Sequence, residues 1–408
     1  MLANGRLRPH MIQMFTEAQE ALADARAAAA CVGVTRLVLT DFRNYREARL
    51  TLDVAPVVLT GTNGAGKTNL LEAMSFLAPG RGLRGARLAE IDRRPGADDP
   101  GPTHGWAVAA VVATCRGTLR VGTGHDATAG ERRVVRIDGE PVRGQARLGE
   151  RLGVLWLTPS MDRLFVEGPG GRRRFLDRLV LGLDPAHASR VAAYEQALRE
   201  RSRLLRDGPR DPTWLTALEE VMAEQGVAVA AGRREAVQRL DRVCGAADGP
   251  FPRARLTLAG TVEDWLGTMP ALAAEAQFAA LLAGNRQGDA EAGATLFGPH
   301  RSDLHVSLAE KGIAAALAST GEQKALLISI LLAHARLQRA VRGEPPLLLL
   351  DEIAAHLDAS RRAALFDALL RLDGQAWLTG TDEALFAPLR REAQFISVRD
   401  GQLASTTP

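Results

Sequence analysis

The spacing of hydrophobic positions along this 408-residue chain changes period several times. From Thr35 to Asp53, "TRLVLTDFRNYREARLTLD" alternates in short runs, the period of strands. "PVVLT" at Pro56–Thr60 is a continuous apolar run entering a glycine loop, as expected of a buried strand. Helical spacing follows in "KTNLLEAMSFL" from Lys67. Ala107 to Val135 is rich in β-branched residues between glycine-containing turns, which predicts a small antiparallel lobe. From about Pro185 to Val243 the chain becomes rich in Ala, Leu, Glu and Arg at 3.6-residue spacing, broken near "DGPRDP". That pattern predicts two long helices in an antiparallel arm. Strand character returns at "ARLTLAG", and from Gly298 helix and strand alternate around "PPLLLLDE" and "AWLTGTD". There is no internal repeat. The economical prediction is an α/β head over 35–183 and 296–408, interrupted by a helical arm with a return segment over 184–295. Residues 1–34 read as a frayed or helical N-terminal extension.

Composition narrows the class. With 46% hydrophobic and 24% charged residues, a chain of this length is expected to build a large core and more than one compact unit. The 51 basic against 48 acidic residues leave a formal charge of +3, too small to argue nucleic-acid binding by itself. Cys31, Cys115 and Cys244 are far apart and lack metal-ligand spacing, so a reducing, cytoplasmic setting is expected. No apolar run reaches the roughly 18 residues that span a bilayer. The N-terminus carries Glu17, Glu20 and Asp24 and no continuous apolar centre, unlike a secretion signal.

The chemistry-bearing stretch is "GTNGAGKT", Gly61 to Thr68, between predicted strand and predicted helix. It matches the phosphate-loop pattern in full. Gly61, Gly64 and Gly66 let the backbone curl, so that the N–H groups of the stretch Gly61, Thr62, Asn63, Gly64, Ala65 and Gly66 surround nucleotide phosphates. Lys67 adds charge and Thr68 offers a hydroxyl to Mg2+. In "LLLLDE", four leucines predict a strand buried on both faces, delivering Asp351 to a metal and Glu352 to an attacking water. The same carboxylates could open a helix as N-terminal acids. Asp358, seven residues beyond Asp351, reads equally as a helix cap. "STGEQK" from Ser319 lies 251 positions past Thr68 (319 minus 68) and presents a second phosphate-facing helix start, or an ordinary capped one.

The order of these four elements is similar to the ATP-binding-cassette head. That resemblance implies a P-loop ATPase head with a mixed sheet flanked by helices and an antiparallel β lobe. It implies ATP and Mg2+ as cofactors, with Lys67, Glu352 and Ser319 catalytic and Thr68 and Asp351 on the metal. Ser319, Gly321 and Gln323 occupy the signature positions, which in such heads contact the γ-phosphate held by a second copy, so an ATP-dependent homodimer is expected. "TDFRNYREARLTL", "GTNGAGKTNLLEAMSFLAPGRGLR", "TPSMDRLFVEGPGGRRRFLDRLV", "GPHRSDL" and "LLLLDEIAAHLDASRR" together resemble the RecF family of bacterial recombination-mediator ATPases, from about Thr35 to the C-terminus.

Family resemblance implies DNA binding at single-strand gaps and single-strand/duplex junctions, cooperation with RecR and RecO, and support of RecA loading and SOS induction. Arg43 and Asn44 match positions that approach the base, or form a plain strand-end turn. "GPHRSDL" matches a motif of the family, which implies that His300, Arg301 and Asp303 lie near the composite site; the alternative is a loop held by internal ion pairs. The loop "LTPSMD" lacks the glutamine of transporter cassettes, and Thr379 stands for their switch histidine, which implies slow hydrolysis. Arg172, Arg173, Arg174 and Arg178, with Arg199, Arg201, Arg203 and Arg206, could contact DNA phosphates or form a solvated face. The alternative function is the ATPase subunit of a membrane transporter, against which the long path between the two loops argues.

Overall fold

In the computed structural model, residues 32–93, 105–126, 132–207 and 211–405 are described. The expected extension as far as Cys31 and positions 208–210 of the inter-helix break lie outside them. Chain contacts divide the molecule into two compact units, Met1–Pro159 with Gln338–Pro408, and Ser160–Leu337.

The first unit begins with the hairpin β1 (Gly33–Phe42) and β2 (Tyr45–Thr51), then β3 (Val57–Thr60) and α1 (Lys67–Ser75). A meander follows: β4 (Gly105–Thr114), β5 (Gly117–Asp126), β6 (Arg133–Ile137) and β7 (Glu140–Pro141), then α2 (Ala146–Arg151) and β8 (Val154–Leu157). The second unit comprises α3 (Pro169–Leu183), α4 (His187–Asp207), α5 (Pro212–Gly245), β9 (Ala254–Ala259), α6 (Thr261–Trp265), α7 (Ala271–Gly284), α8 (Arg286–Ala292), β10 (Asp303–Leu308) and β11 (Ile313–Ala314). Helix α9 (Thr320–Arg342) begins there, and its final turn counts with the first unit. β12 (Leu347–Leu350), α10 (Ala359–Leu370), β13 (Ala376–Gly380), β14 (Gln394–Arg399) and β15 (Gln402–Ser405) complete the first unit.

Two six-stranded sheets build that unit. One is antiparallel, in the order β2-β1-β4-β5-β6-β7, and contains the predicted lobe. The other runs β15-β14-β3-β13-β12-β8 and is parallel except at the β14–β15 edge. Parallel strands covered on both faces must be apolar throughout, which is why Val57–Thr60 and Leu347–Leu350 carry no exposed position. Each such leucine contributes about 2 kcal/mol relative to exposure. Phe42, Phe76 and Trp106 form an aromatic cluster with centroid spacings of 4.9 to 6.1 Å, edge-to-face at Phe42 and tilted between Phe76 and Trp106, joining the antiparallel sheet to the end of α1. Arg133 of β6 donates to the carbonyls of Phe76, Ala78 and Gly80, acceptors left over past the end of α1. Burial pushes its guanidinium down to about 9. Val32 and Val34, placed in the extension by the sequence pattern, are buried and hydrogen-bonded to Gln375.

In the second unit, α4 and α5 are the two predicted long helices. Their apolar faces meet α6 and α7 around Tyr194, Met222, Val227, Val262 and Phe278. The return segment is more than an arm's end, because β9 pairs with β10, and β10 with β11. Residues 160–183 and 296–337, grouped with the head by sequence pattern, both fall in this unit. Two buried ion clusters fix it. Arg201, fully buried, bonds Glu219 at 2.9 Å and Asp289 at 2.6 Å, and also the carbonyl of Leu282. Arg233 pairs with both oxygens of Asp177 at 2.8 Å, while His187 approaches Asp177 at 2.8 Å.

Burial alone would raise the Asp177 carboxyl, but the bonds from His187 and Arg233 outweigh it and hold the value at about 2. A carboxyl depressed in the folded state contributes its full stability above its ordinary value of 3.8 and loses it as pH falls toward 2. Asp177→Asn strands the Arg233 guanidinium and is expected to cost about 3 kcal/mol at neutral pH. Thermal unfolding should show the gap between variant and wild type closing as pH falls from about 4 to 2; a pH-independent gap would mean the charge is not the cause.

Candidate active site

The phosphate loop leaves the carboxyl end of β3, which lies between parallel neighbours β13 and β14. Ligand sites in open α/β sheets gather at this edge. Gly61 takes φ 151°, and a side chain there would come within 2.2 Å of the Val398 carbonyl, so only glycine fits. At Gly66, φ is 119° and a Cβ would meet Asn44 and Tyr45. Those two residues brace the loop from behind. The Tyr45 hydroxyl donates to the Gly66 carbonyl at 3.0 Å, and Asn44 donates to the Ala65 carbonyl at 3.2 Å. Burial raises the Tyr45 pKa, keeping that hydroxyl a donor. Thus the β1–β2 turn supports the loop backbone, a role that its sequence did not suggest.

Lys67 is buried, and its ammonium crosses the loop to the carbonyls of Gly61 at 2.6 Å and Thr62 at 3.1 Å. Thr68 donates to the Asp351 carboxylate at 3.0 and 3.1 Å, a meeting of residues 283 positions apart. Asp351 follows β12 directly and Glu352 comes next, its carboxylate 3.7 Å from Lys67. Glu352 adopts φ 51°, a left-handed conformation uncommon outside glycine. Thr379, near the end of β13, bonds Asp351 at 2.8 Å. Asp358 caps α10 by accepting from Arg361 N, the ordinary cap that its spacing allowed. Arg43 forms a two-bond pair with the buried Glu72 of α1, at 2.8 and 2.7 Å, and donates to the Glu90 carbonyl. Loop, lysine, both carboxylates, Arg43 and Asn44 all belong to the first unit.

Ser319, Gly321 and Gln323 belong to the second unit. Ser319 is the N-cap of α9 and shares a reciprocal box with Glu322: its hydroxyl and N–H both bond Glu322 Oε2, at 2.8 and 2.9 Å, and Glu322 N–H donates back to the hydroxyl. Lys311 holds the other oxygen; bonds from Lys311 and then Ser319 draw the carboxyl down to about 2. Gln323 turns inward to the Ala318 carbonyl. Gly321 is exposed, and a methyl group there would touch nothing within 4 Å, so the fold itself does not demand glycine.

The family motif "GPHRSDL" is an interior tie. His300 is 2.7 Å from the Tyr194 hydroxyl, Arg301 bonds the Thr295 carbonyl, and Asp303 takes two bonds from Arg172 at 2.7 and 2.8 Å. These bonds are the internal pairing that one reading of the loop allowed. The structure also corrects the arginine clusters: Arg172 is committed to Asp303, Arg173 to the Ser302 carbonyl, and Arg201 to the buried core. Burial lowers Arg178 to about 9 as it packs over Phe175. Arg174 is exposed; Arg199, Arg203 and Arg206 are exposed beside Glu195, Glu200 and Asp207. Arginine spacing alone could not distinguish these fates, because the partners that take Arg172, Arg173 and Arg201 inward come from distant segments.

Among the described residues, no helix is long and apolar enough to cross a membrane. No family model matches the chain. It is 50% identical over 376 residues to the DNA replication and repair protein RecF of Rhizobium meliloti (strain 1021), covering 91% of this chain and 99% of that protein. The Agrobacterium fabrum RecF is 49% identical over 378 residues, covering 92% and 99%. Among solved structures, the recombination mediator protein RecF-ATPrS in the RecFOR pathway matches 93% of this chain and 100% of its own, with TM-score 0.79 and 19% identity. An Smc head domain from Pyrococcus furiosus also matches, at TM-score 0.51 and 14% identity, a likeness of fold. At half identity over nearly the whole length of its relatives, the chain belongs to the DNA replication and repair protein RecF family.

Proposed function

We propose that the protein is an ATPase that dimerises on ATP, holds DNA at single-strand gaps and single-strand/duplex junctions, and releases it on slow hydrolysis. The observation that carries this reading is the convergence of Thr68 with Asp351, beside Lys67 and Glu352, at the carboxyl edge of a parallel sheet. The donor set fits a magnesium nucleotide. A hydroxyl and one carboxylate are the hard oxygen ligands that Mg2+ takes when phosphates supply others. Bound there, the metal would neutralise charge on the phosphates. Gly61 to Thr68 would hold the phosphates through backbone N–H groups and Lys67, with Arg43 and Asn44 toward the base. Glu352 would orient the attacking water and accept its proton. Ser319, Gly321 and Gln323 would complete the site of a second copy, and two-fold symmetry lets one interface satisfy both loops.

DNA contacts fall to exposed arginines such as Arg174, since Arg172 and Arg201 are paired inside the fold. Cooperation with RecO and RecR and support of RecA loading, in the cytoplasm, follow from the family. The transporter alternative finds no support in the relatives. Sedimentation of the full chain with ATP or ADP, with and without gapped duplex, tests the reading. A dimer with ATP that binds gapped DNA, weakening steeply with salt, is expected. A nucleotide-independent monomer that binds no DNA would overturn it.

A further inference from the structure

Thr379 is fully buried near the end of β13 and bridges the two acidic positions of the proposed site. Its hydroxyl accepts from the Glu352 backbone N–H at 2.9 Å. A backbone N–H can only donate, so the hydroxyl hydrogen is left for its other partner, Asp351 Oδ1 at 2.8 Å, which can only accept when ionised. One side chain thereby fixes two things. It sets the direction in which the Asp351 carboxylate presents its lone pairs to Thr68. It also ties down the N–H of Glu352 where that residue holds φ 51°. A non-glycine residue keeps such a conformation only when its surroundings over-determine it. The carboxylate of Glu352 leaves from this backbone toward Lys67.

We propose that Thr379 is a positioning residue of the hydrolytic site, holding the metal-binding carboxylate Asp351 in its rotamer and aiming Glu352 through its backbone. This rests on the reading of Asp351 and Glu352 given above. The bonds of the Thr379 hydroxyl go to the two acidic positions and not to the Gly61–Thr68 loop, so nucleotide affinity is not its province. Groups that orient a metal ligand typically contribute roughly 10–100-fold to metal affinity or activity.

The test compares Thr379→Val, which keeps the branched shape and loses the hydroxyl, with Thr379→Ser, which keeps the hydroxyl. Mn2+ uptake by the full chain with a non-hydrolysable ATP analogue is read by electron paramagnetic resonance, and ATP turnover is read separately. Thr379→Val should require roughly tenfold more Mn2+ for half-saturation and lose roughly 10–100-fold in kcat, with analogue affinity within about threefold. Thr379→Ser should restore both. A purely structural role would lower the melting temperature and leave the Mn2+ midpoint of the folded protein unchanged, and that result overturns the proposal. Should Thr379→Val not fold, Thr379→Ala decides by the same titration. Failure of the wild type to bind Mn2+ with the analogue, or to hydrolyse ATP, would sink the underlying reading instead.

Discussion

Glu352→Gln is expected to lower ATP turnover by about 100- to 1,000-fold while leaving ATP affinity within a few-fold, so that an ATP-held dimer accumulates on DNA. The magnitude is that of removing a general base from a site whose other parts stay in place. An amide preserves the size of the side chain and the backbone bond to Thr379, so the left-handed turn survives. It cannot accept the proton of an attacking water. Phosphate binding rests on different residues, the Gly61–Thr68 loop and the Lys67 ammonium that crosses it. If association depends on ATP and dissociation on its cleavage, blocking cleavage traps the associated state. Single-turnover kinetics with sedimentation on gapped duplex checks both halves. Turnover at the wild-type rate would remove Glu352 from the chemistry.

The second large effect separates the two phosphate-facing loops. Ser319→Arg should abolish ATP-dependent dimers while the monomer still binds ATP, because its own phosphates are held by a loop in the other compact unit. An exposed N-cap replaced by a long cation puts bulk where the partner's nucleotide would lie. The loss of the cap costs about 1 kcal/mol, too little to unfold a helix of 23 residues. Lys67→Met should instead fail to bind ATP in its own subunit. Mixing the two differently labelled chains pairs the intact phosphate loop of one with the intact serine of the other. ATP-dependent association of the mixture should therefore exceed that of either variant alone. Full dimerisation by Ser319→Arg alone, at ATP that saturates the wild type, would show that Ser319 does not act across subunits.

Sequence pattern carried the parts of this site whose chemistry is local. A phosphate loop needs its glycines and lysine within one short stretch, and a strand buried on both faces is spelled almost wholly in aliphatic residues, so both are readable from a few residues. The antiparallel lobe and the two long helices were legible for the same reason: each repeats one period long enough to stand out. Strands β10 and β11 were not, since six residues of "DLHVSL" and two of "IA" make little periodic signal and gain their structure from pairing with β9 and with each other. The bracing of the loop by Asn44 and Tyr45 was equally hidden. Each bond spans 21 positions, and nothing in "FRNY" names its partner. Charge was the least legible property. Arg172 and Arg174 are near neighbours, yet one is locked to Asp303 and the other faces water.

The strand order of the parallel sheet also has a consequence for how the chain is made. β3, which feeds the phosphate loop, is flanked by β13 and β14, and the nearer of these in sequence begins 316 positions after β3 ends (376 minus 60). A ribosome therefore releases the loop's sequence long before the strands that hold β3 in place exist. Until they emerge, Val57–Thr60 is an apolar segment with two open edges, the kind of surface that invites mispairing. Such late, non-local pairing is intrinsically slow to form. A nascent chain lacking β13 and β14 therefore has the residues of the loop but not the strands that flank β3 in the folded sheet.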